Sequence, residues 1–167
     1  MPAPFFCCKI HFIELPRERI LMQGNFAGKI GFSTDVTIHL DHKQLEGILS
    51  VPPEPKGLVV FVHGSGSSRL SPRNRQVAKA LNREGMATLL FDLLTPEEER
   101  VDTCTAQLRF DIDFLSKRVN QIAKWVQHHK LLGHLPVGYF GASTGAAAAL
   151  SSAAQNPYAS YVCDVFI

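Results

Sequence analysis

Between Asp35 and Ile167, short apolar runs alternate with longer stretches whose apolar residues recur at helical spacing. "DVTIHL" and "LEGILSV" flank the polar "DHKQ" and predict a β-hairpin; the prolines of "VPPEPKG" then break the chain. "GLVVFVHG", "MATLLFDLL", "LPVGYFGAS" and "YASYVCDVFI" are apolar without alternation, as expected for strands buried on both faces. The stretches between them predict helices. "RNRQVAKALNREG" is capped by Ser71 with Pro72 in its first turn, carries Val77, Ala80 and Leu81 on one face, and ends at Gly85. "LRFDIDFLSKRVNQIAKWVQHH" spaces Phe110, Phe114, Ile122 and Val126 for one face, with Trp125 in the core. "TGAAAALSSAAQ" is a third helix, stopped by Asn156-Pro157. "TPEEERVDT" reads as a loop at the sheet's carboxyl edge, whose Glu97, Glu98, Glu99 and Asp102 either line a pocket rim or, the plainer reading, are solvated; residues 1–33, which hold no sustained period, read as an N-terminal extension.

Buried strands separated by helices imply right-handed βαβ units. The predicted fold is therefore α/β, a three-layer sandwich over residues 34–167, with a mostly parallel sheet and the hairpin as its antiparallel edge. Composition changes this picture little. A formal net charge of +2, with acids scattered among the bases, gives no basic stripe for nucleic acid. No window approaches the roughly 20 apolar residues of a membrane helix. Cys7, Cys8, Cys104 and Cys163 have neither zinc nor redox spacing, so no metal is expected, and a reducing, cytoplasmic location is the simplest reading.

"GASTG" places Ser143 between Gly141 and Gly145, after a predicted buried strand and before a predicted helix. A G-x-S-x-G turn in that context forces the central serine into a strained backbone with its hydroxyl exposed, beside the free amides of a helix start. The plainer alternative is a tight turn with Ser143 as a helix cap. A second feature accompanies it: "VVFVHGSGSS" ends another buried strand at His63-Gly64 and opens a loop of free amides. Arg109, with Asp111 and Asp113, reads either as a clamp for a carboxylate substrate or as a helix-start ion network.

The order "LVVFVHGSGSSR", "GMATLLFDLL", "RFDIDFLSKRV", "VGYFGASTGAAAAL" resembles the α/β-hydrolase superfamily, in its dienelactone-hydrolase-like branch, over residues 35 to about 155. The resemblance implies Ser143 as nucleophile and the amides of Thr144 and Ser65 as oxyanion donors, with Gly66 a close competitor of Ser65. It implies a small ester or lactone as substrate, an acyl-enzyme, and no cofactor.

That family's triad runs serine, acid, histidine in chain order. Here all seven histidines precede Ser143, and the one acid after it, Asp164, falls inside the last apolar run. His63 is expected to support the oxyanion loop rather than take a proton. A serine without its base loses on the order of a millionfold in turnover, so the chain as written is expected to be inactive or nearly so. The final strand would leave an apolar edge open to self-association. Either the natural protein continues past Ile167 with the acid and histidine, which is the favoured expectation, or dimerisation protects the edge. The functional alternative is a non-catalytic binding module of the same fold.

Overall fold

A computed structural model describes residues 31–156 and, as backbone, the strand Ala159–Val165. Cys7 and Cys8 and most of the predicted extension lie outside the described residues. The order of elements is β1 (Phe32–Leu40), β2 (Lys43–Val51), β3 (Leu58–Val62), α1 (Pro72–Arg83), β4 (Ala87–Phe91), α2 (Pro96–Thr105), α3 (Ile112–His128), β5 (Val137–Ala142), α4 (Thr144–Gln155) and β6 (Ala159–Val165). A 3-10 turn, Leu108–Phe110, joins α2 to α3.

The described strands form one sheet in the order β1-β2-β4-β3-β5-β6. The β1–β2 and β2–β4 pairings are antiparallel, whereas β4–β3, β3–β5 and β5–β6 are parallel. The sheet is thus mixed, with its antiparallel strands gathered at one edge. β1 begins at Phe32, inside the segment read as extension, because Phe32 and Ser33 pair with Val51 and Ser50.

Alternation along each central strand divides the core between two faces. Leu58, Val60 and Val62 of β3 join Leu89, Phe91, Val137 and Tyr139 beneath α3 and α4. Phe61 and Leu90 point the other way, against Ala78, Val77 and Leu81 of α1. α3 buries Leu115, Val119, Ile122, Ala123 and Val126 along one stripe; each of its larger aliphatic side chains contributes about 1.5–3 kcal/mol on burial. This is the expected three-layer sandwich.

Three local readings need correction. The face of α1 turned to the sheet uses Ala78 rather than Ala80, which is exposed. Phe110 lies in the 3-10 turn, 59% exposed, because Asp111 caps α3 by accepting from the Phe114 amide and starts the helix after it. "TPEEERVDT" is not a loop: it forms α2. Thr95 Oγ accepts from the Glu98 amide while the Glu98 carboxylate accepts from the Thr95 amide, and Pro96 opens the helix. This reciprocal cap, Thr-x-x-Glu with proline at the first helical position, was visible in the sequence.

Candidate active site

The carboxyl ends of β3, β4 and β5 converge at one edge of the sheet, and four local facts set the geometry there. First, β5 passes into α4 through Ser143 at φ 53°, ψ −125°. For a residue with a Cβ this conformation costs about 1–3 kcal/mol, and it persists because the surroundings over-determine it. Second, those surroundings are built on missing side chains. A Cβ on Gly141 would lie 2.6 Å from Ala146 Cα, and one on Gly145 would collide with the carbonyl oxygens of Val62 and His63. Gly64 belongs to the same contact, since its Cβ would sit 2.8 Å from Ala142 O and 3.2 Å from Ser143 Cβ. The end of β3, the end of β5 and the start of α4 can therefore touch only through glycines. Sequence reasoning picked out Gly141 and Gly145 but gave Gly64 no packing role.

Third, Ser143 is exposed and its side chain makes no cap hydrogen bond, so the helix-cap alternative does not describe it. The amide of Thr144, the first residue of α4, has no acceptor within its own helix. Fourth, the loop after β3 is sewn to the end of β4. His63 Nε2 accepts from the Leu93 amide at 3.1 Å, and Nδ1 lies 3.0 Å from the Gly64 carbonyl. A carbonyl only accepts, so these partners place the proton on Nδ1. Burial lowers the His63 pKa, against the opposing pull of the Gly64 carbonyl, Asp92 and Glu99. Farther along, Asp92 accepts from the Arg69 amide at 2.7 Å and pairs with its guanidinium. The Ser65 amide is thereby brought to the elbow, where it donates to Thr144 Oγ1 at 3.0 Å.

A small pocket of about 20 Å³ sits beside the elbow, lined by His63 to Ser67, Thr144, Leu93, Glu99, Asp102 and Arg109. α2 supplies one wall. Only Asp102 among its ten residues is buried, at 1% exposure, so polar contacts hold this helix in place. Asp102 accepts from the amides of Leu108 and Arg109 and from Arg109 Nε, at 2.6, 3.3 and 2.6 Å. Glu98 accepts from Arg118 Nη2 at 2.9 Å and pairs with Lys43 on the hairpin. Burial pushes both carboxyls up, but Arg118, Lys43 and the Thr95 amide hold Glu98 below its ordinary range, as Arg109 and the amides of Leu108 and Arg109 do for Asp102. Neither acid is a solvated loop residue, and Asp102, with Glu99, lines the pocket as the pocket-rim reading has it. Arg109 pairs with Asp102 rather than with Asp111 or Asp113, because the 3-10 turn carries it back over α2. A larger groove, about 370 Å³, opens on the α1 face between Arg75, Lys79 and the β1–β2 hairpin, away from Ser143.

None of the described histidines approaches the Ser143 hydroxyl as a base. His63 uses both ring nitrogens in the loop. His128, His129 and His134 lie toward the amino end of β5, whose six residues span about 20 Å. His39 and His42 are near the carboxyl edge but on or beside β1, four strands from β5, roughly 19 Å away. His11 lies outside the described residues. Among the described residues no group of three or more His, Cys, Asp or Glu could hold a metal ion, and no helix is long and apolar enough to cross a membrane.

No family model matches the chain. Among solved structures, it is similar to a dienelactone hydrolase of Anabaena variabilis, at 47% identity and a TM-score of 0.76, over 81% of this chain and 62% of that one. The chain has the α/β-hydrolase fold and is similar to that dienelactone hydrolase in both sequence and structure. The fold is also shared with a Pyrococcus furiosus esterase, at 19% identity and a TM-score of 0.59 over 85% of this chain and 54% of that one. A cold-adapted esterase from an Arctic intertidal metagenomic library, at 16% identity and a TM-score of 0.59 over 77% and 58%, shares it too. Two curated relatives from Mycobacterium tuberculosis strains, each named "Putative phosphoribosyl transferase", are 56% identical over 109 residues, 65% of this chain. The chain spans about a quarter of their length, 24%, so their name describes proteins much longer than the matched part.

Proposed function

We propose that the site performs acyl transfer on a small carboxylic ester or lactone, with Ser143 as nucleophile and the amides of Thr144 and Ser65 as oxyanion donors. The observation that carries the reading is the backbone of Ser143. A positive φ on a non-glycine residue, wedged among three glycines, presents an uncapped hydroxyl at the start of a helix. That arrangement gives an attacking oxygen and, beside it, amides and a helix dipole that favour developing negative charge. The Anabaena relative, a dienelactone hydrolase by name, supports the substrate class.

Attack forms a bond from Ser143 Oγ to the carbonyl carbon; the carbonyl oxygen becomes the oxyanion, and its collapse expels the alcohol oxygen. The serine proton needs a base, and no described histidine is placed to take it. This chain by itself therefore holds the nucleophile and oxyanion half of the chemistry. Its turnover is proposed to be close to the residual level that such donors alone sustain, on the order of 10³–10⁴ over water. The free, exposed Cys104 fits a reducing compartment, and a cytoplasmic location is part of the proposal.

The test is peptide-mapped labelling by a fluorophosphonate. Slow labelling of Ser143, accelerated by imidazole added as a diffusible base and absent in Ser143→Ala, supports the assignment. Unchanged labelling in Ser143→Ala would remove Ser143 as nucleophile. A chain that folds cooperatively yet never labels at Ser143, with or without imidazole, is a non-catalytic module of the same fold. Sedimentation of the same sample tests the proposed self-association through β6, which among the described strands pairs on one side only, with β5.

A further inference from the structure

The Ser65 amide is one of the two proposed oxyanion donors, and it already has an acceptor, the Thr144 hydroxyl oxygen at 3.0 Å. That oxygen is three bonds from the Thr144 amide nitrogen, the other donor. One neutral oxygen thus lies beside both groups that the reaction would aim at a negative one. We infer that Thr144 Oγ1 is a resident occupant of the acceptor position at the Ser65 amide, so that the anionic oxygen of a tetrahedral adduct on Ser143 must displace it. Thr144 is then a positioning residue in two respects: its amide binds, and its hydroxyl sets how readily the Ser65 amide is released. The inference rests on the reading of Ser143 as nucleophile.

The physical grounds are a difference in acceptor strength and the shape of the loop. A hydroxyl is an uncharged acceptor; an oxyanion makes charge-assisted bonds roughly twice as strong and wins the exchange. Until then the hydroxyl keeps the Ser65 amide pointed at the elbow, in a loop whose next residue, Gly66, has φ +72° and meets no neighbour within 4 Å of an added Cβ. Loop order in the free protein and ligand affinity consequently pull in opposite directions at one side chain. Removing the hydroxyl would loosen Ser65 in the free chain yet tighten the anionic complex, by about the net value of one neutral hydrogen bond, two- to tenfold in affinity. A hydroxyl that only braced the loop would have the reverse effect on binding.

The test uses phenylboronic acid on the ¹⁵N-labelled 167-residue chain. The Ser143 oxygen donates an electron pair into the empty boron orbital, its proton passes to the buffer, and boron takes the negative charge, giving a tetrahedral anion without turnover. Wild type, Thr144→Val, Thr144→Ala and Thr144→Ser are titrated, with the Ser65 amide resonance as spectroscopic signature. The expected result is two- to tenfold tighter binding in Thr144→Val and Thr144→Ala, and wild-type affinity restored in Thr144→Ser. The free-state Ser65 resonance should move in the first two variants and converge with wild type in the complex. Equal or weaker binding in both Thr144→Val and Thr144→Ala, with wild-type binding abolished by Ser143→Ala, overturns the inference and leaves the nucleophile standing. Absence of boronate binding in every form removes the Ser143 reading and the inference with it.

Discussion

Replacing Gly145 by alanine isolates the close approach on which the elbow depends. Two effects oppose each other. In a helix, glycine to alanine is normally favourable, by about 1 kcal/mol. Against this, the new Cβ at the second residue of α4 would run into the carbonyl oxygens of Val62 and His63. Neither obstacle is a flexible side-chain tip. Val62 closes β3, a strand hydrogen-bonded on both sides, to β4 and to β5, so it cannot withdraw without breaking a ladder. α4 must instead retreat by on the order of an ångström, opening its contact with Gly141 and the core under Ala148 and Ala149. Overpacking costs about 1–3 kcal/mol and more where backbone must move, about 3–4 kcal/mol at this contact, so after the propensity gain of about 1 kcal/mol the net loss should be about 2–3 kcal/mol. For a chain of this size that is a Tm lower by about 5–10 °C. Calorimetry or urea titration measures it. Gly66→Ala is the control: with nothing within 4 Å and φ +72°, it carries only the left-handed backbone cost, about 1 kcal/mol. If Gly145→Ala melts at or above wild type, α4 does not start against β3 as described, and the geometric argument for Ser143 fails.

Three further outcomes follow from the same contacts. Ser143→Gly should raise stability by about 1 kcal/mol, since glycine adopts φ 53°, ψ −125° without penalty, while phosphonate labelling disappears; a lower Tm would mean that the backbone is not strained. Asp102→Ala removes the acceptor for two amides and Arg109 Nε and should cost about 2–3 kcal/mol, with faster amide exchange confined first to α2; unchanged α2 protection would refute its role as the fastening of that helix. His63, lowered by burial from its ordinary 6.5, binds fewer protons folded than unfolded, so its contribution is complete above pH 6.5 and is lost as pH falls through the lowered value. The slope is at most about 1.4 kcal/mol per pH unit, and His63→Gln in a His129→Gln background, which removes a second histidine lowered by burial, should flatten it. A chain that gains stability on going from pH 6.5 to 5.5 would contradict this assignment. Glu98 and Asp102, held low by their cations, lose their contributions only below the ordinary carboxylate range.

Most elements could be located from local pattern because their physics is local. β3, β4 and β5 are apolar on successive residues since helices cover both faces, and α1 announces itself through Ser71, Pro72 and Gly85. α2 carried an equally local signal in Thr95, Pro96 and Glu98, but its high charge suggested a solvated loop; its low apolar content reflects fastening by ion pairs rather than by packing. Phe110 was misplaced for a related reason: apolar spacing alone does not show where a cap such as Asp111 starts the helix.

What the sequence by itself determined is the α/β layering and the elbow, both consequences of neighbours in the chain: apolar runs of strand length, and a serine set between glycines before a helix. Only the tertiary structure decided that Gly64 shares the elbow's contact, that Asp102 is buried on Arg109, that His63 spends both ring nitrogens on the loop, and that the Ser65 amide rests on Thr144. Ser65 and Thr144 are 79 positions apart. Their meeting depends on the pairing of β3 with β5, and no local periodicity encodes which strands become neighbours.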